Sequence, residues 1–334
     1  MKIIKVSAGP YKDNKLLLRQ FPEMSGIWGD CKFIINSDID KCDWWFVMHG
    51  SGVVKTEECL CDPSHIVYIS MEPSEVMSRV SNDFINQFSH LVLCDRNITH
   101  PSITYMNWLT WWVGVVIVKS KKSFVYKNQN LNYDDFTDMK PIDKMNKLSI
   151  IMSKKNFSEG HEKRINFIDK LINSPIAKYI DIYGDGYTPI PDKWDGIAQY
   201  KYHLVIENSS IKDYWSEKLA DSFLGFSLPI YYGCPNIFDY FSKDSIILID
   251  IDNIEKSIRT IKNVIEENLY DDHVRSINIA RNQVLNEYNI FNLMAQMSLV
   301  KGSNFKNVKL RTNYYFSDSW IKKIARYVIN KMSL

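Results

Sequence analysis

The sequence predicts an α/β protein built from two domains. Short apolar, β-rich runs alternate with helical patterns along most of the chain, which is typical of α/β units on parallel sheets. The 334 residues exceed what one hydrophobic core comfortably holds. A polar stretch between residues 119 and 147, rich in Lys, Asn and Asp, separates two such alternations and is typical of a linker or long loop.

Five strands are predicted on each side of that stretch. In the first half they are Ile3–Val6, Lys32–Ile35, Trp44–Met48, Ile66–Ser70 and Leu91–Leu93. In the second half they are Leu148–Met152, Tyr179–Tyr183, His203–Ile206, Pro229–Tyr231 and Ile246–Ile249. Helical patterns lie between several of them, at Glu75–Phe88, Glu162–Asn173, Trp215–Gly225 and Ile254–Asn268. We therefore predict α/β domains over residues 1–145 and 146–300, followed by a tail, 301–334.

Composition narrows the class of protein. Hydrophobic residues make up 45% of the chain and charged residues 24%, as in globular proteins, and the net charge of +2 gives no field that favours nucleic acid. The six cysteines form no C-x-x-C pair and are typical of buried thiols in a reducing compartment. No signal peptide is visible at Met1–Val6, and the apolar run near 108–118 is too short to span a bilayer as a helix. We therefore expect a cytoplasmic protein.

The tail, 301–334, carries eight basic residues and one acidic residue. Within it, Trp320–Met332 places apolar residues on one face at helical spacing, with the basic residues off that face. A basic amphipathic helix of this kind lies on anionic membranes, so we expect peripheral contact with the inner membrane through residues 318–334. The alternative is a terminal helix that packs back across the two domains.

The richest polar segment follows the strand that ends at Ile206. Glu207 and Asn208 lie at its carboxyl end, which is where open α/β sheets bind ligands. Ser216 is a candidate N-cap for the next helix, whose first turn carries Glu217 and Lys218. A helix N-terminus favours anions, the lysine adds a positive charge, and the glutamate can accept hydrogen bonds from two vicinal hydroxyls. An ordinary strand–loop–helix with a first-turn acid accounts for the same pattern.

The order of these residues resembles the donor-binding motif of the family 10 glycosyltransferases, the α-1,3/1,4-fucosyltransferases. The matching segments are Tyr200-Lys201-Tyr202, Ile206-Glu207-Asn208-Ser209, Asp213-Tyr214-Trp215-Ser216-Glu217-Lys218 and Leu228-Pro229-Ile230. The flanking runs Ser153 to Phe167 and Asp181 to Gly186 are also similar to the family. Three features depart from its pattern: Ile206 in place of Phe, the bulkier Trp215, and the turn from Tyr232 to Pro235.

The resemblance implies two Rossmann-like domains facing across a cleft, the glycosyltransferase-B arrangement, with the acceptor bound by the N-terminal domain and a GDP-sugar by the C-terminal one. It implies that Arg164 and Lys218 bind the diphosphate and that Glu217 holds the ribose. Three further residues are expected in the donor site: Glu207, Asn208 and Tyr214. No cofactor and no metal ion are expected, because the two cations can stabilise the leaving diphosphate.

The first half resembles the family only at Val67-Tyr-Ile-Ser-Met-Glu-Pro-Ser74. Family members carry Glu-Ser-Pro or a near variant after an apolar strand, and that glutamate is the proposed catalytic base. Here the order is Glu72-Pro73-Ser74, and the resemblance implies that Glu72 is the base. The alternatives are a solvated loop acid at this position and a base at Glu75, which is more typical of the following helix.

Two other patterns compete for a role. Asp250-Ile-Asp252 imitates the Asp-x-Asp metal motif of glycosyltransferase-A enzymes, but it lies far beyond the donor motif. The cluster Trp108, Trp111 and Trp112 could stack on an acceptor sugar, although core packing is the commoner use of such residues. We assign neither of them to the site.

The resemblance implies an inverting glycosyltransferase that moves a 6-deoxyhexose, most simply fucose, from a GDP-sugar to a glycan or lipid-linked glycan. The reaction implied is a step in the synthesis of a bacterial surface polysaccharide, such as the O-antigen of lipopolysaccharide. A related enzyme would use another GDP-deoxysugar, such as colitose or an N-acylated perosamine. A non-catalytic binder of anionic surfaces or nucleic acid, suggested by the basic tail alone, is the alternative from another class.

Overall fold

The computed structural model describes residues 1–9, 14–48, 55–72, 80–118, 123–126, 131–153 and 159–316. The strands are β1 (Lys2–Ser7), β2 (Ile27–Trp28), β3 (Cys31–Ile35), β4 (Trp44–Met48), β5 (Glu57–Cys61), β6 (Ile66–Ile69), β7 (His90–Leu93), β8 (Ile103–Tyr105), β9 (Val115–Val118), β10 (Ser123–Tyr126), β11 (Met145–Ile151), β12 (Ile180–Tyr183), β13 (Tyr200–Ile206), β14 (Leu228–Tyr232), β15 (Ile247–Leu248) and β16 (Lys306–Leu310). The α-helices are α1 (Lys15–Leu18), α2 (Asn82–Ile85), α3 (Tyr133–Asp138), α4 (Glu159–Ile172), α5 (Glu217–Leu224), α6 (Ile254–Glu266), α7 (Tyr270–Asn282), α8 (Ile290–Met297) and α9 (Asn313–Phe316).

The chain divides into two compact units, and each contains a parallel sheet. The first unit comprises the described residues within 1–12, 27–106 and 294–334, and the second those within 13–26 and 107–293. The predicted α/β class with two sheets is confirmed. The predicted boundaries at 145 and 300 differ from this division, and the acceptor and donor roles of the two halves stay predictions.

Two sets of contacts explain the difference in boundaries. Arg19 is fully buried and donates hydrogen bonds to the carbonyl oxygens of Leu131 and Trp111 at 2.8 and 2.7 Å, which fixes residues 13–26 within the second unit. Near the other end of the chain, β16 pairs antiparallel with β5. This pairing places residues 306–310 in the first unit. Neither contact has a local sequence signal, because both join positions far apart in the chain.

The sheet of the first unit has the order β2-β3-β1-β4-β6-β7-β8. Every pairing in it is parallel except that of β2 with β3. One face packs on a cluster of buried side chains that includes Trp45, Tyr68 and Phe84. Glu72 follows β6, at the carboxyl edge of this sheet.

The sheet of the second unit has the order β12-β11-β13-β14-β15, and all its pairings are parallel. When its strands are numbered within the sheet, this is the order 2-1-3-4-5 of doubly wound nucleotide-binding folds. In that topology the strand order reverses between β11 and β13, and ligands bind outside the carboxyl ends of those two strands. The order therefore places the predicted donor motif, which follows β13, beside the switch point.

All ten predicted strands and three of the four predicted helices are confirmed, with bounds shifted by a few residues. Of the predicted helix Glu75–Phe88, the structure describes α2 and not residues 73–79. The predicted membrane-contact segment, 318–334, lies outside the described residues, as does Glu75. Over the part of the chain that the structure describes, no helix has the length and apolar character needed to cross a membrane.

Candidate functional site

The site is built where β13 ends and α5 begins. Ser216 is the N-cap of α5: its backbone is extended, and its hydroxyl accepts a hydrogen bond from the Lys218 N–H at 3.3 Å. This cap satisfies one of the free N–H groups of the first turn. Residues Leu219–Leu224 are buried, so the helix packs firmly and its N-terminal turn has a fixed position.

Glu207 joins the strand end to the helix start. Its side chain is fully buried, and its carboxylate accepts hydrogen bonds from the Ser216 N–H and the Ser216 hydroxyl, both at 2.7 Å. The Lys218 ammonium lies 3.2 Å from the same carboxylate. Gly233 packs against it so closely that a Cβ there would lie 2.5 Å from the Glu207 Cγ. Glu207 therefore acts on the site through Ser216 and Lys218.

Charged side chains of alternating sign form a row beside the start of α5. We call the five residues Glu207, Lys218, Glu217, Lys193 and Asp221 the charge row. The Lys218 ammonium lies 3.9 Å from the Glu217 carboxylate, whose other neighbour is the Lys193 ammonium at 3.5 Å. Lys193 in turn lies 3.0 Å from Asp221. Each carboxylate therefore has a lysine beside it, and each lysine lies between two carboxylates.

The charge row shifts the pKa values of its members. Burial alone would raise the pKa of Glu217, but Lys218 and Lys193 outweigh it and lower that pKa to about 2. Burial likewise opposes the charge on both lysines, yet the neighbouring carboxylates raise the pKa of Lys218 and of Lys193. Glu217 is therefore ionised and both lysines are protonated at neutral pH.

Arg164 lies on α4, which follows β11. Its side chain contacts Asn208, which follows the neighbouring strand β13. Its Nη1 donates to the Asn208 side-chain oxygen at 2.8 Å, and its Nη2 to the Ser153 carbonyl oxygen at 3.5 Å. The side chain is 7% exposed, and its Nε has no hydrogen-bond partner among the described residues. Arg164, Lys193 and Lys218 line one pocket, so three cations surround a single small space.

Asp213 and Tyr214 lie in the loop between Glu207 and α5. Asp213 has a left-handed backbone, with φ of 65°, and is held by Asn236: its N–H donates to the Asn236 side-chain oxygen, and its carboxylate accepts from the Asn236 amide, both at 2.8 Å. The Tyr240 hydroxyl also donates to this carboxylate, at 2.9 Å. The Tyr214 side chain is 4% exposed, so it packs within the unit and supports the loop.

The region from β11 to α7 is similar to parts of known proteins. Residues 141–273 match the family model described as Glycosyltransferase family 10 (fucosyltransferase) C-term. This segment is similar to the C-terminal part of the family 10 glycosyltransferases. Over 78 residues the chain is also 32% identical to the alpha-(1,3)-fucosyltransferase FucT of Helicobacter pylori. That match covers 23% of this chain and spans about a sixth (16%) of the relative's length.

Two solved structures match this chain at low sequence identity. A crystal structure of an alpha1,3-fucosyltransferase with GDP-fucose matches with a TM-score of 0.47 and 16% identity, over 91% of this chain and 93% of that one. The crystal structure of TarM matches with a TM-score of 0.42 and 11% identity, over 72% of this chain and 56% of TarM.

All six residues predicted for the donor site lie in the second unit: Arg164, Glu207, Asn208, Tyr214, Glu217 and Lys218. Arg164 contacts Asn208, Lys218 lies between Glu207 and Glu217, and Tyr214 is buried in the loop. Glu72, the predicted base, belongs to the other unit. It is half-buried, and its N–H donates to the Ser70 hydroxyl at 3.3 Å. The roles assigned to these seven residues stay predictions.

Sequence reasoning missed two members of the charge row. Lys193 lies in a 3-10 turn, Lys193–Gly196, well before the donor motif, and Asp221 is on the buried side of α5. Asp221 could have been suspected, because a carboxylate at a buried helical position needs a partner. For Lys193 the sequence carries no comparable signal.

The Asp-x-Asp pattern makes structural contacts, and two of the three clustered tryptophans are buried. Asp250 closes a local turn, since its carboxylate accepts the Asp252 N–H at 3.0 Å, and Asp252 lies 3.4 Å from Lys163. Within the described ranges, no group of three or more His, Cys, Asp or Glu residues could hold a metal ion. Trp108 and Trp111 are buried, which fits core packing.

Proposed function

We propose that this protein is an inverting glycosyltransferase that moves a 6-deoxyhexose, fucose in the simplest case, from a GDP-sugar to a glycan acceptor. Two observations support a fucosyltransferase activity: the match of residues 141–273 to the family 10 model, and the name of the Helicobacter relative. The observation that carries the proposal is the pocket at the switch point, which Arg164 and Lys218 line, together with the Glu217 carboxylate 3.9 Å from the Lys218 ammonium.

This arrangement fits the chemistry of a nucleoside diphosphate. The positive N-terminus of α5, Lys218 and Arg164 supply charge for a diphosphate. The Arg164 Nε, buried without a partner among the described residues, provides a further donor. Glu217 has a charged carboxylate at the same helix start, and such a group accepts hydrogen bonds from the two ribose hydroxyls.

The proposed reaction is a direct displacement at the anomeric carbon. The acceptor hydroxyl attacks that carbon as the bond to the diphosphate oxygen breaks, and Glu72 takes the hydroxyl proton. Negative charge develops on the departing GDP, where Arg164 and Lys218 stabilise it. Because two protein cations meet this charge, the mechanism uses no cofactor and no metal ion.

The donor sugar and the acceptor complete the proposal. A bacterial surface polysaccharide, such as O-antigen, or its lipid-linked precursor is the proposed acceptor, and colitose and N-acylated perosamine are the alternative deoxysugars. An acceptor carried on a lipid agrees with a cytoplasmic enzyme whose basic segment, 318–334, contacts the inner membrane. Both the location and the membrane contact are part of the proposal.

GDP is expected to stabilise the protein against heat. A ligand at about 100 times its Kd adds about 2.7 kcal/mol to the free energy of unfolding, which raises Tm by ~4 °C for a protein of this size. Differential scanning fluorimetry with GDP, UDP and dTDP at equal concentrations checks this. Stabilisation by UDP or dTDP and not by GDP would contradict the proposed donor, and stabilisation by none of them would favour a protein that binds no nucleotide.

A further inference from the structure

Lys193 is the member of the charge row that the proposed mechanism leaves without a role. Its ammonium lies 3.0 Å from the Asp221 carboxylate and 3.5 Å from that of Glu217. Asp221 is completely buried, and its other oxygen accepts hydrogen bonds from the N–H groups of Trp112 and Val113 at 2.9 and 3.2 Å. Asp221 is therefore fixed from two directions, and it holds the lysine in place.

The turn that carries Lys193 is equally fixed. Asp192 caps it by accepting the Trp194 N–H at 2.9 Å, and the same oxygen accepts the Gly114 N–H at 2.8 Å. Asp192 is itself buried, so the hydrogen bonds are shielded from water. Both the backbone and the ammonium of Lys193 thus have defined positions before any ligand binds.

The position of Lys193 determines the charge balance around Glu217. On its far side, Lys218 lies closer to Glu207 and to the Ser216 hydroxyl, at 3.2 and 3.0 Å, than to Glu217, at 3.9 Å. Without Lys193, the nearest cation to Glu217 would be Lys218. The carboxylate would then turn towards Lys218 and neutralise a cation that the diphosphate needs.

We propose that Lys193 is a positioning residue, which holds the Glu217 carboxylate in place for the ribose hydroxyls and keeps it away from Lys218. This inference rests on the proposed function, because it assumes that a nucleoside diphosphate occupies the site. It adds that discrimination of the ribose depends on a lysine that acts through the Glu217 carboxylate.

The test compares GDP with 2′,3′-dideoxy-GDP, measured as a ratio of Kd values by isothermal titration calorimetry. The wild-type protein should bind GDP about 10–100-fold more tightly, because hydrogen bonds to a charged carboxylate are lost with the hydroxyls. In Lys193→Met the ratio should fall below about threefold, and GDP itself should bind less tightly. The matched control is Lys147→Met, since Lys147 pairs with Asp181 at 3.1 Å in the same unit and its loss should leave the ratio unchanged.

A second variant separates positioning from folding. Lys193→Met leaves Asp221 buried without its cation, which endangers the fold. Lys193→Met combined with Asp221→Asn removes both charges of the pair and should fold, yet it should show the same low ratio. A wild-type ratio in either folded variant overturns the inference and leaves the proposed function standing. Failure of the wild-type protein to bind GDP would instead overturn the proposed function, and this inference with it.

Discussion

Glu72→Gln is expected to lower the turnover number by about 10²–10⁴-fold, the usual share of a general base. The amide keeps the shape of the side chain but cannot take the acceptor proton. GDP affinity should change less than about twofold, because Glu72 lies in the unit that does not contain the charge row. Initial rates with saturating donor, together with GDP titration, measure the two effects separately.

Glu58→Gln is the matched control for this experiment. Glu58 lies on β5 of the same unit, is exposed and pairs with Lys309 at 2.5 Å, so its loss should leave turnover unchanged. If Glu72→Gln retained near-normal turnover, the base would lie elsewhere, and Glu75→Gln would be the next variant to measure.

Lys218→Met is expected to weaken GDP binding by about 1.5–3 kcal/mol, or roughly 10–150-fold in Kd, the scale of a charge-assisted hydrogen bond. The substitution also removes the cation beside the buried Glu207 carboxylate, which keeps its two hydrogen bonds from Ser216. We therefore expect a loss of about 1–3 kcal/mol in the free energy of unfolding as well. Calorimetric titration and urea unfolding measure the two quantities.

Two companion variants make this result specific. Lys201→Met removes a lysine from the same motif near the start of β13, where it pairs with Asp271 at 3.1 Å, and it should leave GDP affinity unchanged. Lys218→Met with Glu207→Gln removes both partners and should recover stability without recovering affinity. Wild-type GDP affinity in a folded Lys218→Met protein would exclude Lys218 from the site.

The sheets could be predicted because their central strands include short apolar runs that are buried on both faces. β4 and β6 are buried at every position, and β14 at all but its last residue, and such runs differ clearly from the polar segments between them. The donor motif could be predicted because its residues lie close together in sequence, between a strand end and a helix cap. Local patterns of this kind can be recognised in the sequence without knowledge of the fold.

The parts that could not be predicted depend on distant pairings. The strand β5 begins with two acids, one of them exposed, and only its partner β16 shows that it forms a ladder. Arg19 assigns residues 13–26 to the second unit through carbonyl oxygens more than 90 positions away. Lys193 reaches Glu217 and Asp221 only because the turn at 193–196 packs beside α5. Long-range contacts of single charged side chains leave no periodic signal in the sequence.

The most direct test of a GDP-sugar-dependent transferase is nucleotide release from a panel of sugar nucleotides. Purified protein is incubated with GDP-fucose, other GDP-deoxysugars and a set of UDP-sugars, without added metal, and the released nucleotide is separated by chromatography. The proposed site predicts slow release of GDP from GDP-fucose or another GDP-deoxysugar. The Lys218→Met protein should release no GDP under the same conditions. Release of UDP from a UDP-sugar, with no GDP from any GDP-sugar, would contradict it.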